Sequence, residues 1–300
     1  MLKGVNQKNI IAVRSMTTEQ QIKDFRTYLE QLGYSRTTRS MLPDCVRDFL
    51  DYHKGWEEEF TTTHVEEYHE WLQIRPHKQK GGGLSEHYIN HHIYALRLYF
   101  NWREQNGEIS YNPISVMKFR QPKSQPREPF TLQEIRRLFE AAQTAKETAI
   151  LHIFYSCGLR RSEGEALNRN DLHFKQRILY VRSGKGAKRR AVPMTVKVSA
   201  ALEDYFLRER TDRAKDSEAF VLNRVGQRMK GDGYGRVLKE LIERAGITRE
   251  ASLHHLRHSI ATHLLESGLS LEEVRDFLGH ACLETTQVYA KVNKKQLLEL

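Results

Sequence analysis

The segment from Gly107 to Pro129 constrains this chain more than any other stretch. It carries Pro113, Pro122, Pro126 and Pro129 among basic and polar residues. Proline lacks the backbone N–H and disfavours helical geometry in the residue before it, so no continuous helix crosses this region. The expectation is two domains: residues 17–107 and 130–300, with 1–16 as a leader and 108–129 as a linker. Three hundred residues with 39% hydrophobic content supply two cores of ordinary size.

Periodicity then fixes the class of each half. In the first, Ile22, Phe25, Leu29 and Leu32 make an apolar stripe between a cap at Thr17, spaced from Gln20 as a capping box, and a stop at Gly33. A second helix is expected over Arg36 to His53, with Pro43 kinking it or marking its start. A third runs from about Thr63 to Arg75, and a fourth follows Ser85 to a stop near Gly107, so the amino-terminal half reads as a helical bundle. The pair His87 and His91, next to His92, has i, i+4 spacing but no carboxylate or cysteine at ligand spacing beside it, and is not read as a metal site.

The second half opens on a capping box at Thr131 and Glu134. A mostly apolar helix from Ala145 to Cys157 then runs into GLRRSEGEAL, where Gly158 should end it, Arg160 should lie in or beside a turn, and Ser162 should cap the next helix with Glu163 in its first turn. After Asp171 the pattern changes to short β-like runs: Leu172 and Phe174, RILYVR (177–182) and KRRAVPM (188–194). The last two flank the tight SGKGA turn and make a hairpin with Lys185 at its tip. Lys175, Arg177, Arg182, Lys185, Lys188, Arg189 and Arg190 lie here without an acidic residue among them. Two helices follow, near Val196–Arg210 and Tyr234–Ala245, and the GDGYG run at 231–235 lacks the preceding strand of a nucleotide-binding loop. The fold class is therefore mainly α with a small antiparallel sheet: a helical bundle followed by an α+β domain.

From Ser252 to Tyr289 the chain carries its densest set of chemically useful residues. Leu253, Leu256, Ile260 and Leu264 form a helical stripe capped by Ser252 and ended by Gly268, which places His254 and Arg257 at the border of the core, and His254 in an N-terminal turn suited to an anion. A second helix is capped by Ser270 with Glu273 and ends at Gly279, so His280 emerges at a turn and Tyr289 beyond it. His258 and His263 read as structural helix residues.

Charge and cysteine content agree with a nucleic-acid partner in a reducing compartment. Lys and Arg number 48 against 38 Asp and Glu, a net charge of +10, and Cys45, Cys157 and Cys282 are too few and scattered for a disulfide framework. No run approaches the ~18–20 apolar residues of a membrane span, and the first residues do not form a secretory signal.

The segments GLRRSE, SGKGAKRRAVP, HHLRHSIATHLLESG and LGHACLETTQVY, with Arg160, Lys185, His254, Arg257, His280 and Tyr289 in that order, resemble the tyrosine recombinases of the phage integrase and Xer type. The resemblance implies a core-type DNA-binding domain followed by a catalytic domain. It also implies site-specific cleavage and rejoining of double-stranded DNA by a homotetramer, acting alone or with a paralogous recombinase, through a 3′-phosphotyrosyl intermediate and a Holliday junction. Tyr289 is then the nucleophile, Arg160 and Arg257 hold the non-bridging phosphate oxygens, Lys185 protonates the 5′-oxygen, His254 is base or phosphate ligand, His280 is a further donor, and Glu163 orients its neighbours. No metal, ATP or other cofactor is implied, and a cytoplasmic, nucleoid-associated protein is expected. The short leader leaves no room for an arm-type DNA-binding domain. The alternatives are relaxation of supercoiled DNA in the manner of a type IB topoisomerase, and a non-cleaving DNA-binding protein on the same scaffold. One departure stands out: Gly164 and Glu165 occupy positions where the family commonly has apolar residues, which bears on the packing behind Arg160.

Overall fold

The computed structural model describes residues 17–54, 59–77, 81–120, 128–182, 190–210 and 215–279. The chain divides into two compact units, Met1–Gln125 and Pro126–Leu300. Among the described residues, no helix is long and apolar enough to cross a membrane.

The first unit is built on α1 (Thr18–Gln31), α2 (Arg36–Tyr52), α3 (Thr62–Ile74) and α4 (Glu86–Gln105). Thr17 caps α1 by accepting from the Gln20 N–H, but the Gln20 side chain bonds Asp24 instead of closing a reciprocal box. Pro43 lies inside α2, neither starting nor ending it. The core is aromatic: Phe25, Phe49, Tyr68, Tyr99 and Phe100 are buried, with Phe49 meeting Tyr68 and Phe100 edge to face. His92 belongs to this core, its Nδ1 lying 2.9 Å from the Tyr68 hydroxyl. The residues after Gly107 are not a solvated connector from the outset. Ile109 and Ile114 are buried in the same core, and the Asn112 amide donates to the Asn101 side chain at 2.7 Å. Proline at 113 forbids a helix there, yet it leaves the chain free to fold back and bury its neighbours.

The second unit contains α5 (Leu132–Glu140), α6 (Ala145–Leu151), a π-helical turn (His152–Ser156), α7 (Arg161–Ala166), the strands β1 (Leu172–His173), β2 (Ile178–Val181) and β3 (Arg190–Pro193), then α8 (Val196–Arg208), α9 (Gly231–Arg244), α10 (Leu253–Glu266) and α11 (Leu271–Leu278). The sheet is antiparallel in the order β1-β2-β3, with Val181 opposite Arg190 and Ile178 opposite Pro193. The hairpin tip, residues 183–189, lies outside the described residues. The entry to this unit is fastened by Arg249, which donates to the Glu128 and Pro129 carbonyls and pairs with Glu134, its guanidinium over the Phe130 ring.

Three local expectations are corrected. The helix foreseen over Ala145–Cys157 is α-helical only to Leu151 and then widens, the Cys157 N–H donating five residues back to His152. Ser162 sits inside α7; the N-cap is Arg160, whose N–H donates to Glu163 at 2.8 Å. The GDGYG run is the first turn of α9.

The π turn also accounts for Gly164. It presents the fully buried Phe154 ring to α7, and a Cβ at residue 164 would lie 2.6 Å from that ring's Cζ. Phe154 thus fills the volume that an apolar side chain on α7 would occupy. Gly164→Ala gains about 1 kcal/mol of helix preference. Overpacking against a ring buried on all sides costs about 1–3 kcal/mol, and the contact is close enough for this to win. The expected outcome in a thermal melt is a Tm lower by about 2–4 °C, partly restored by adding Phe154→Leu.

Candidate active site

Arg160, Glu163 and Arg257, nearly a hundred residues apart in sequence at their extremes, converge on one carboxylate. Three local devices bring them there. The π turn ends at Gly158, whose φ of 59° is a left-handed value that suits glycine, and this swings the chain so that Arg160 enters α7 in extended conformation. Glu163 then stands one turn along α7 and reaches back to the N-cap. Arg257 comes from the first half of α10, whose start is set by Ser252: its N–H donates to the His255 Nδ1 at 3.0 Å, which assigns His255 to capping.

Glu163 is buried, its side chain 1% exposed, and its carboxylate is saturated. Oε1 accepts from Arg160 Nη1 at 2.7 Å and from Arg190 Nη1 at 2.8 Å; Oε2 accepts from the Arg160 backbone at 2.8 Å and from Arg190 Nη2 at 2.9 Å. Arg257 Nη1 lies 3.8 Å from Oε2, close enough for charge but not for a hydrogen bond. Burial alone pushes the Glu163 pKa up, but the hydrogen bonds and charge of Arg190, with those of Arg160, outweigh it and hold it at about 2 against an ordinary 4.5.

The arginines also grip backbone carbonyls. Arg160 Nη2 donates to Gly279 at 3.0 Å, Arg257 Nη2 to Leu278 at 2.7 Å, and Arg257 Nη1 to Gly158. Leu278 and Gly279 end α11, where unpaired carbonyls and the negative end of the helix dipole favour cations. Gly279 is fixed by two requirements, a φ of 65° and the side chain of Arg190, whose Cδ would be 2.8 Å from an added Cβ.

Of the residues singled out in the sequence, Arg160, Glu163 and Arg257 are therefore brought together. Arg257 differs from its expected place at the border of the core, because its guanidinium is sunk among carbonyls and its side chain is only 3% exposed. Arg160 retains 26% and faces solvent. His254 is exposed in the first turn of α10. Lys185, His280 and Tyr289 lie outside the described residues. His263 is a buried structural residue, its Nδ1 lying 3.0 Å from the Tyr155 hydroxyl. Arg190 was seen in the sequence only as one basic residue of the hairpin. Its alternation with the buried Val192 on β3 was the available sign that it points inward. A cleft of about 190 Å³ is lined by Glu163, Asp171, Tyr180 and Arg182 but by none of the three arginines, and two carboxylates make it unsuited to a phosphate.

Three guanidiniums around one carboxylate leave two positive charges in excess. Such a cluster, preorganised and largely shielded from water, stabilises an anion whose charge grows during reaction. The class defined by this fold and cluster agrees with the known proteins the chain matches. The phage integrase family model matches residues 128–296. The chain is 34% identical over 227 residues to tyrosine recombinase XerD of Listeria innocua, spanning 73% of this chain and 76% of the relative. It is 35% identical over 220 residues to tyrosine recombinase XerC of Chlamydia trachomatis serovar L2, spanning 70% and 69%. Among solved structures, XerA recombinase aligns over 92% of this chain and 95% of its own at a TM-score of 0.52 and 28% identity. The Tn1549 transposon integrase in complex with transposon right end DNA shares the fold at a TM-score of 0.72 and 20% identity, covering 91% of this chain and 94% of its own. The chain belongs to the phage integrase family, the tyrosine recombinases.

Because the folded pKa of Glu163 is depressed, its contribution to stability is complete above the unfolded value and is lost as pH falls through the folded one. Glu163→Gln should therefore lower unfolding free energy at pH 7 by about 3 kcal/mol, the deficit shrinking as pH falls from 4.5 toward 2. Denaturant midpoints measured across that range check it.

Proposed function

We propose that this protein is a site-specific DNA recombinase that cleaves and reseals double-stranded DNA through Tyr289. The observation that carries the reading is the arginine cluster on Glu163, which joins the two phosphate-binding candidates to the end of α11, the helix that leads the chain toward His280 and Tyr289. In this reading Arg160, with two of its five N–H donors used among the described residues, binds a non-bridging oxygen of the scissile phosphate from the solvent side, and Arg257 supports the same group from beneath. The Tyr289 hydroxyl oxygen attacks phosphorus. The bond to the 5′-oxygen breaks, leaving a 3′-phosphotyrosyl ester, and Lys185 gives its proton to the departing 5′-oxygen. His254 takes the phenol proton or binds the phosphate, and His280 adds a donor. The phosphorus–oxygen ester is exchanged and not hydrolysed, so the 5′-hydroxyl of another strand reverses the step without ATP. Charge stabilisation comes from the arginines, and the chemistry calls for no metal or cofactor.

The partners in this reading are specific recombination sites on two duplexes and three further protomers, identical or paralogous, passing through a Holliday junction in the cytoplasm at the nucleoid. Relaxation of supercoiled plasmid lacking any defined site would mark the topoisomerase-like alternative, and binding without cleavage the architectural one.

Incubation with nicked duplexes carrying candidate sites should give a covalent adduct on denaturing gels. Tyr289→Phe should abolish the adduct while DNA binding persists, and an undiminished adduct would remove Tyr289 as nucleophile. Lys185→Ala should cut cleavage strongly yet be rescued by a 5′-bridging phosphorothiolate, whose thiolate leaves without an acid; an unrescued loss would make Lys185 a positioning residue.

A further inference from the structure

Arg190 has no part in the steps above, yet it makes the most complete contact with Glu163. It projects from β3, the strand that returns from the hairpin tip, and its side chain is 9% exposed. Both terminal nitrogens engage the carboxylate, one on each oxygen, at 2.8 and 2.9 Å. This is the parallel two-bond geometry that gives an arginine–carboxylate pair its strength. Its Nε is buried without a hydrogen-bond partner among the described residues, so the fork on Glu163 is the polar contact that holds this guanidinium in place.

A carboxylate has about four acceptor positions. Arg190 fills two and Arg160 the other two, while Arg257, its terminal nitrogens on the Gly158 and Leu278 carbonyls, stands off at 3.8 Å. Without Arg190, a buried anion with two vacant acceptor positions would sit directly beside Arg257, and the attraction between them in so dry a setting would draw that guanidinium onto Glu163. The charged groups facing Glu163 are Arg160 from its own helix, Arg190 from β3 and Arg257 from α10, with the Asp171–Arg182 ion pair across the adjoining cleft.

We propose that Arg190 is a positioning residue for strand cleavage: by occupying Glu163 it keeps Arg257, and the outward donors of Arg160, directed at the scissile phosphate. The inference rests on the recombinase reading and assigns Arg190 a role in that site through Glu163. It also ties β3 to the arginines around Glu163, because that strand delivers Arg190 to them.

The test compares full-length wild type, Arg190→Gln, Glu163→Gln and the double variant on one nicked duplex, measuring DNA affinity and the rate of covalent adduct formation. Arg190→Gln should lose about 100-fold in cleavage rate, the scale on which small misplacement of reacting groups slows a reaction, with affinity changed less than about threefold. The double variant should cleave faster than Arg190→Gln alone, since a neutral amide no longer competes for the remaining arginines. The deficit of Arg190→Gln relative to wild type should also narrow as pH is lowered, because protonation of the under-partnered Glu163 has the same effect; a merely structural role predicts a deficit that stays constant or widens. Should Arg190→Gln fail to fold, Arg190→Lys, which keeps the charge and gives up the fork, replaces it in both comparisons. A double variant no faster than the single one, or a single variant that cleaves like wild type, overturns the proposal. Absence of a Tyr289-dependent adduct from wild type would instead sink the recombinase reading, and this inference with it.

Discussion

A single buried carboxylate organises the catalytic unit. Glu163 receives four hydrogen bonds from two arginines and the charge of a third, so α7, β3 and α10 meet at one atom group. Burying an ion pair is expensive, and an apolar replacement of equal volume often makes a protein more stable. What hydrophobic residues cannot supply is a fixed excess of positive charge. Here three guanidiniums share one counterion, so their mutual repulsion is contained while two charges remain uncompensated. A phosphodiester carries one negative charge and gains another as a nucleophile adds to phosphorus. In the proposed cleavage the excess would match the transition state better than the ground state, which is the condition for catalysis and not mere binding.

The same arginines close the end of α11. Helix C-termini leave carbonyls unpaired, and those of Leu278 and Gly279 are taken by Arg257 and Arg160 respectively. Arg257 reaches in the other direction to the Gly158 carbonyl at the exit of the π turn. Gly158, in left-handed conformation, and Leu278, the neighbour of left-handed Gly279, are thus joined through one side chain. The geometry of the site is carried by backbone atoms held from both sides. That leaves little freedom for the guanidinium planes to tilt.

Much of this was readable in the amino-acid sequence, and the failures share a cause. The helices of both units followed from apolar spacing and caps, because those signals lie within a few residues of one another: Ser270 with Glu273, Thr131 with Glu134, Gly268 after α10. The resemblance supplied Arg160, Glu163 and Arg257 as a set, and the structure places them in contact. Arg190 escaped notice because a basic residue in a basic hairpin looks solvated, and only the pleat of a strand turns it inward. The π turn left no mark, since widening a helix by one residue changes no local propensity. Gly164 looked like a defect in packing, and is explained only by Phe154, a residue ten positions earlier on a different element. Long-range contact was the missing information each time. Lys185, His280 and Tyr289 were legible only through the resemblance and fall outside the described residues.

Holding a helix end and binding a phosphate with the same side chain need not conflict. Arg160 meets Glu163 through Nη1 and Gly279 through Nη2, two of its five donors, and its plane still reaches solvent. The helix terminus carries only about half a unit of negative charge, whereas a phosphate carries a whole one, so an arriving phosphate need not displace the carbonyl to win the outer donors. A carboxylate is a different competitor, with a full charge and four acceptor positions at the same depth as the guanidiniums. In the proposed reaction the helix end can therefore remain fastened throughout the cycle, provided the acceptor positions of Glu163 that Arg160 leaves open are filled by a group that does not hold the phosphate. Within this cluster, the fork of Arg190 meets that condition.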